Sequence, residues 1–120
     1  MAGKLTTHVL DTAHGCPAAG VEIILWSIAS STDDRTLITQ VYTDRDGRTD
    51  RPLLADGELQ IGEYELLFSV GSYFEKTHLN LPKPVFLDRI PIRFQIADIN
   101  AHYHIPLLVS PWSYSTYRGS

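Results

Sequence analysis

The chain has very little cysteine. Cys16 is the only one among 120 residues, which excludes an intrachain disulfide and fits a reducing compartment. Positive charge is not in excess either, because ten Lys and Arg face fourteen Asp and Glu, whereas a nucleic-acid surface needs a basic stripe. No apolar run reaches membrane-spanning length, and the opening residues lack the apolar core of a signal peptide. We therefore expect a cytoplasmic protein that binds neither nucleic acid nor membrane.

Several common catalytic signatures are also missing. The sequence contains no nucleophile elbow, no P-loop, no dinucleotide fingerprint and no ordered Ser-His-Asp triad. What it does contain is enough apolar material for a core, 43% of its residues, in a length typical of one domain. The expectation is a single domain spanning residues 1–120.

Short apolar and β-branched runs alternate with turn signals along the chain, which favours an all-β sandwich or barrel. We expect seven or eight strands, and the main runs are 5–10, 21–28, 35–43, 62–70, 90–96, 102–109 and 113–117. In the third run Leu37, Thr39 and Val41 alternate, which predicts that they share one face.

One short helix is expected at 73–79. Ser72 would cap its first turn, and Glu75 follows three residues later, as in a capping box. Pro82 and Pro84 would stop the helix.

The five histidines fall into groups of different interest. His102 and His104 are two residues apart on a predicted strand, so both should point to one face. His8 lies in the first strand, where it could be a satisfied edge or core histidine or a functional one. His14 and His78 are interpreted as surface residues. His8, His102 and His104 could together hold zinc, or an imidazole among them could take a proton from water near pH 7.

Cationic groups complete the set of candidates. Arg48 follows the Asp46-Gly47 turn and could stabilise an anion bidentately, or it could be an ordinary exposed arginine. The chain ends on Tyr117-Arg118-Gly119-Ser120, which carries donors and acceptors but could equally be a solvated tail. Cys16 has no activating base nearby in the sequence and is interpreted as a loop or small core residue.

Three separated segments resemble the transthyretin-related 5-hydroxyisourate hydrolases. They are LTTHVLD at 5–11 with GCPA at 15–18, TDRDGR at 43–48, and HYHIPLLVSP at 102–111 with YSTYRGS at 114–120. The terminal tetrapeptide is the most specific part of the resemblance, because the hormone-carrying transthyretins lack it.

The resemblance implies a transthyretin-like sandwich of two four-stranded antiparallel sheets with one short helix. It also implies a homotetramer, a dimer of dimers, whose sites lie in clefts where dimers meet. The family's functional positions correspond to His8, Arg48 and His104 as catalytic residues, and these with the tetrapeptide Tyr117, Arg118, Gly119 and Ser120 as substrate-binding residues. His102 would have a supporting role, and neither a cofactor nor a metal is implied.

The implied reaction is hydrolysis of 5-hydroxyisourate to 2-oxo-4-hydroxy-4-carboxy-5-ureidoimidazoline in urate degradation. His8 or His104 would act as a general base on water, and Arg48 would stabilise the oxyanion. Ser120 is expected to position the substrate or a histidine rather than to act as a nucleophile. Two alternatives stay open: a transthyretin-like carrier without catalysis, and a metal-dependent hydrolase that uses His8, His102 and His104.

Overall fold

The computed structural model describes residues 3–77 and 79–119, and two four-stranded sheets make up most of it. The strands are β1 (Lys4–Asp11), β2 (Cys16–Pro17), β3 (Glu22–Ala29), β4 (Asp34–Tyr42), β5 (Gly62–Ser69), β6 (Arg89–Ile96), β7 (His102–Val109) and β8 (Tyr114–Thr116), and the helix α1 is Val70–Glu75. The first sheet has the order β2-β1-β7-β8 and the second β4-β3-β5-β6. The prediction of an all-β sandwich with one short helix is confirmed. In the part of the chain described, no helix is both long and apolar enough to span a membrane.

The two sheets enclose one hydrophobic core because their strands alternate between apolar and polar residues. On β1, Leu5, Thr7 and Val9 are buried, while Thr6 and His8 between them are partly exposed. On β7, Leu107 and Val109 are likewise buried. The largest fully buried side chains come from both sheets and from α1: Phe68, Phe74, Leu5, Ile23, Leu25 and Leu66. The alternation leaves the even-numbered residues of β1 and β7 on the outer face of the first sheet.

One feature of the first sheet decides where its outer residues meet. β1 and β7 pair in parallel at its centre, so the expectation of two antiparallel sheets was wrong for this pair, although the other strand pairs are antiparallel. The register places Thr6 opposite His104 and His8 opposite Pro106. Residues near the two ends of the chain are therefore direct neighbours.

The predicted position of the helix was wrong. α1 begins at Val70 rather than at 73, and Ser72 lies within it and does not cap it. No side chain caps the helix at Ser69. Tertiary packing sets its start instead, since Val70 and Phe74 are buried in the core and Gly71 lies so close to Asp88 that a Cβ there would clash. The end of the predicted helix includes His78, which lies outside the described residues.

The predicted shared face of Leu37, Thr39 and Val41 was also wrong. Thr39 pairs with Leu25, but the register between β3 and β4 shifts between Leu25 and Trp26, so Leu37 pairs with Trp26. A bulge adds one residue to a strand and reverses the alternation beyond it. As a result Leu37 is 54% exposed.

Candidate functional site

The candidate site lies on the outer face of the first sheet, where β1 and β7 run side by side. Thr6 and His104 are register partners there, and both are partly buried. The hydroxyl oxygen of Thr6 lies 2.8 Å from Nε2 of His102 and 2.8 Å from Nδ1 of His104. The two histidines predicted to share a face therefore meet at one hydroxyl group.

Arg48 reaches this region through a tight turn. The carboxylate of Asp44 accepts hydrogen bonds from the backbone N–H groups of Asp46 (2.9 Å) and Arg48 (3.2 Å). Gly47 has a φ of 75°, which favours glycine, and its carbonyl accepts a hydrogen bond of 2.8 Å from the N–H of Val9. A Cβ at Gly47 would clash with the Val9 carbonyl. The turn is thus built directly against β1.

His8 ties the same turn to the sheet. Its Nε2 lies 2.8 Å from the carbonyl oxygen of Asp46. A carbonyl can only accept a hydrogen bond, so Nε2 of His8 carries the proton and donates it. In neutral His8 the free lone pair is therefore on Nδ1.

The C-terminal tail approaches His104 from the other side. The N–H of Gly119 donates a hydrogen bond of 2.7 Å to the carbonyl of His104, and a Cβ at Gly119 would lie only 2.7 Å from Cδ2 of the imidazole. Arg118 turns away from the imidazole, with its guanidinium carbon 4.1 Å from the ring centroid of the buried Tyr103. Tyr117 is 60% exposed. Ser120 lies outside the described residues.

The electrostatics of the site favour a neutral imidazole. Burial lowers the pKa of His104 from 6.5, and the positive charges of Arg48, His102 and His8 lower it further. Burial and the charge of Lys4 lower the pKa of His102 as well. A neutral imidazole beside a guanidinium can accept a proton from water while a developing negative charge is stabilised.

The structure brings His8, Arg48, His104 and Gly119 together, with His102 at the margin. It places His14 elsewhere, in the turn after β1, where its Nδ1 lies 2.7 Å from Oδ2 of Asp11. Cys16 is exposed on β2, so the prediction of a loop or core position was wrong.

The geometry bears on the metal alternative. Nε2 of His102 and Nδ1 of His104 both face the Thr6 hydroxyl, and Nε2 of His8 faces a carbonyl. Within residues 3–77 and 79–119, no three His, Cys, Asp or Glu residues are grouped as a metal-ligand set. One ring nitrogen of each of the three histidines is thus engaged by a protein partner.

Sequence reasoning missed Thr6. The signal was present, since Thr6 is two residues before His8 and the period of a strand places both on one face. What the sequence could not show is that a strand nearly one hundred residues later would lie beside it.

The fold and the site define a transthyretin-type sandwich with a polar, histidine-bearing sheet face. The HIUase/Transthyretin family matches residues 5–119, and the chain belongs to that family. It is 54% identical to the 5-hydroxyisourate hydrolase of Ralstonia nicotianae, over 98% of this chain and 99% of the relative. It is 52% identical to 5-hydroxyisourate hydrolase 2 of Rhizobium meliloti, over 98% of this chain and 97% of the relative.

Solved structures agree on the fold. The crystal structure of an (S)-allantoin synthase is 45% identical and superposes with a TM-score of 0.92 over 99% of this chain, which spans 44% of that longer chain. Transthyretin from Sparus aurata is 24% identical, with a TM-score of 0.84 over 97% of this chain and 96% of that one. The transthyretin likeness shows the fold alone.

Proposed function

We propose that this protein is a 5-hydroxyisourate hydrolase, a cyclic amide hydrolase of purine (urate) degradation. The observation that carries the proposal is the meeting of His104, His8 and the Arg48 turn on one sheet face, with Gly119 of the tail against His104. The family membership and the names of the relatives, over nearly the whole chain, support the same substrate. The product would be 2-oxo-4-hydroxy-4-carboxy-5-ureidoimidazoline.

His104 is the better candidate for the general base. Nδ1 of His104 is held by Thr6, which leaves Nε2 as the nitrogen available to water. In His8 the corresponding nitrogen is already donating to the Asp46 carbonyl. Burial and the neighbouring charges of Arg48, His102 and His8 also lower the pKa of His104, which favours the neutral imidazole near pH 7.

The reaction then needs no group beyond the chain and water. Nε2 of His104 takes a proton from water as the oxygen attacks a ring carbonyl of the substrate. The guanidinium of Arg48 stabilises the oxyanion, and none of the ion pairs among the described residues involves this side chain. When the carbonyl re-forms, the ring C–N bond breaks and the imidazolium returns its proton to the leaving nitrogen.

The remaining site residues would bind and orient. His8 holds the Arg48 turn through Asp46 and presents its charge to His104. The tail would position the substrate in two ways. Gly119 would act through its contact with His104, and the polar groups of Tyr117, Arg118 and Ser120 would bind the substrate. Arg118 would bind substrate either from its present place over the Tyr103 ring or after its guanidinium has moved off that ring.

We further propose a homotetramer, a dimer of dimers, with the sites in clefts where dimers meet. β8 and β6 are edge strands of the two sheets, and a cavity of about 390 Å³ lies between them, lined in part by Ile92, Phe94 and Thr116. Edge strands can pair with those of a second copy. Sedimentation equilibrium tests the assembly, and a monomer at all concentrations would contradict it.

Two further points belong to the same proposal. Residues 1–120 would form one hydrolase domain, supported by the family match over 5–119. A cytoplasmic location is supported by the free, exposed thiol of Cys16, which suits a reducing compartment.

The test is turnover of freshly prepared 5-hydroxyisourate, followed by ultraviolet absorbance after the protein has passed through a chelating resin. Wild type should accelerate the decay, and His104→Ala should lose about 10²–10⁴-fold of that rate, as expected for a general base. If folded wild-type protein gave decay of 5-hydroxyisourate no faster than the spontaneous reaction, the proposal of an enzyme would be overturned and the carrier alternative would remain. Activity lost on the resin and restored by zinc would overturn the metal-free mechanism.

A further inference from the structure

The Thr6 hydroxyl is a hydrogen-bond junction between the two histidines of β7. Its oxygen lies 2.8 Å from Nε2 of His102 and 2.8 Å from Nδ1 of His104. The parallel register between β1 and β7 places Thr6 directly opposite His104, and the strand period adds His102 on the same face. The geometry therefore belongs to the central strand pair of the sheet and not to a loop.

A hydroxyl has one proton and two lone pairs, which limits how the junction can be arranged. Thr6 can donate to only one of the two imidazole nitrogens. If it donates to His102, it must accept from His104, whose Nδ1 then carries the proton. If it donates to His104, the proton of that ring is on Nε2 and the nitrogen needed by a base is blocked. When the hydroxyl proton is donated within the junction, the protonation of one ring thus constrains the other.

We propose that Thr6 is a positioning residue that holds His104 as the Nδ1–H tautomer, by accepting from His104 and donating to Nε2 of His102. Nε2 of His104 then presents its lone pair to water. This part of the proposal rests on the proposed function, in which His104 is the general base. His102 acts only as the acceptor at the end of this chain and has no contact with substrate. His102 and Thr6 therefore hold the Nδ1–H tautomer of His104 together, and neither does so alone.

Other groups around the junction are compatible with this arrangement. The charged and titratable residues that act on the two rings are Lys4 on β1, which lowers the pKa of His102, and Arg48 and His8, which lower that of His104. All three are cationic or can become so, and they favour neutral rings. A neutral His102 with its proton on Nδ1 has a free lone pair on Nε2 with which to accept the Thr6 proton.

The primary test reads the tautomer directly and needs no substrate. Nitrogen-15 NMR of the histidine rings is recorded near pH 7.5, with His104 assigned by loss of its signals in His104→Gln. We expect wild type to show Nδ1 of His104 protonated and Nε2 unprotonated. A wild-type spectrum with the proton on Nε2 would overturn the proposal, whatever the protein's activity.

Variants then test whether the hydroxyl is responsible. Thr6→Val removes it at nearly constant volume, and Thr6→Ser keeps it. We expect Thr6→Val to shift the tautomer towards Nε2–H and to lower kcat about 2- to 10-fold with little change in KM, the effect of one lost hydrogen bond. Thr6→Ser should retain the wild-type tautomer and a kcat within about twofold of wild type, because a rotamer of serine places its hydroxyl where that of threonine lies.

Thr7→Val is the matched control. Thr7 is the next residue of β1, and its hydroxyl donates a 2.7 Å hydrogen bond to the Ile105 carbonyl inside the core. This variant loses a hydrogen bond of the same kind, so it should lose stability without a shift of the His104 tautomer. A shift as large as that of Thr6→Val would show a general effect of strand damage and overturn the proposal.

His102→Ala supplies an independent variant. Without the acceptor on His102, the Thr6 proton is free to turn to Nδ1 of His104, so the tautomer should shift in the same direction as in Thr6→Val. The double variant should lose no more than either single one. Additive losses would contradict a shared chain. Absence of hydrolase activity in wild type would overturn the proposed function, while the ring spectra would still decide the tautomer.

Discussion

At the scale of single residues, two histidines on one sheet face differ in the nitrogen that they leave free. Nε2–H of His8 donates a hydrogen bond to the Asp46 carbonyl, whereas Nδ1 of His104 lies within hydrogen-bond distance of the Thr6 hydroxyl. The same side chain therefore serves as an anchor for a turn in one case and as a candidate base in the other. Hydrogen-bond partners, and not residue type, separate the two roles.

Arg48→Lys tests whether the fork of the guanidinium matters beyond its charge. Lysine keeps the positive charge but cannot bind two oxygens in a fixed plane, so kcat/KM should fall about 10- to 100-fold, short of the 10²–10³ loss seen when an oxyanion donor is removed outright. Steady-state assays on 5-hydroxyisourate measure this. Arg45→Lys, in the same exposed segment, is the control and should retain activity. Equal activity of the two variants would contradict the role of Arg48.

Gly119→Ala tests the contact of the tail with His104. The new Cβ would lie 2.7 Å from Cδ2 of the imidazole, so either the tail or the ring must move. We expect kcat to fall at least tenfold, since displacement of a catalytic group by about 1 Å can cost 10²-fold. Stability should change little, because Gly119 lies outside the strands that enclose the core and contributes one backbone hydrogen bond.

Gly20→Ala is the control for Gly119→Ala, because it is expected to lower stability and leave activity unchanged. Gly20 has a φ of 78° and no atom within 4 Å of a Cβ placed there. It should lose about 1 kcal/mol of unfolding free energy through backbone strain while keeping its activity. The contact proposed for the tail would be refuted by a fully active Gly119→Ala.

At the scale of elements, a carboxylate at the end of β1 ties the β1–β2 turn to the helix. Asp11 is 1% exposed; its Oδ1 accepts from the N–H groups of Ala13 and His14, and its Oδ2 accepts a 2.8 Å hydrogen bond from the hydroxyl of Tyr73 on α1. Burial alone would raise the pKa of Asp11, but the hydrogen bonds from Tyr73 and His14 outweigh it and the pKa is lowered from 3.8. The position of α1 depends partly on this long-range bond.

Tyr73→Phe should therefore destabilise the fold by about 1.5–3 kcal/mol, the range for a hydrogen bond to a charged group. Urea unfolding at pH 7 measures the loss. Because a lowered pKa means that the ionised form is stabilised in the fold, this contribution is present above pH 3.8 and is lost as pH falls through the lower folded value. The difference between wild type and variant should shrink in acid. A constant difference from pH 7 to pH 3 would contradict the assignment to Asp11.

At the scale of the whole molecule, the two sheets place positive charge from three segments around one imidazole. Burial, Arg48, His102 and His8 all lower the pKa of His104 below 6.5. The neutral form is thus favoured in the folded protein. The unfolded chain binds more protons between the folded pKa and 6.5, so the stability that comes from His104 is complete above 6.5 and is lost as pH falls.

The pH profile of kcat/KM should follow from the same shift. We expect a plateau at neutral pH and an acid limb whose midpoint lies below 6.5, because the base must be neutral. Arg48→Met should move the midpoint of His104 in an NMR titration upwards, since a neighbouring positive charge is removed. Arg45→Met should leave it in place. A midpoint at or above 6.5 in wild type would contradict the environment described for His104.

Much of the fold could be predicted from the sequence alone. The β-strand runs, the inward and outward alternation of β1 and β7, and the shared face of His102 and His104 all depend on local periodicity, which the sequence carries directly. The motifs at 43–48 and 102–111 indicated the family for a similar reason, because the residue types stand together in the chain.

Only the tertiary structure decided which groups touch. Thr6 and His104 are 98 positions apart in sequence, and a parallel register brings their side chains to 2.8 Å. The start of α1 at Val70 and the outward turn of Leu37 likewise depend on packing and on a bulge. Periodicity determines the face on which a side chain lies, but its partner across the sheet depends on strand order and register. These arise from burying all the strands together, so the tautomer of His104 is a property of the assembled sheet.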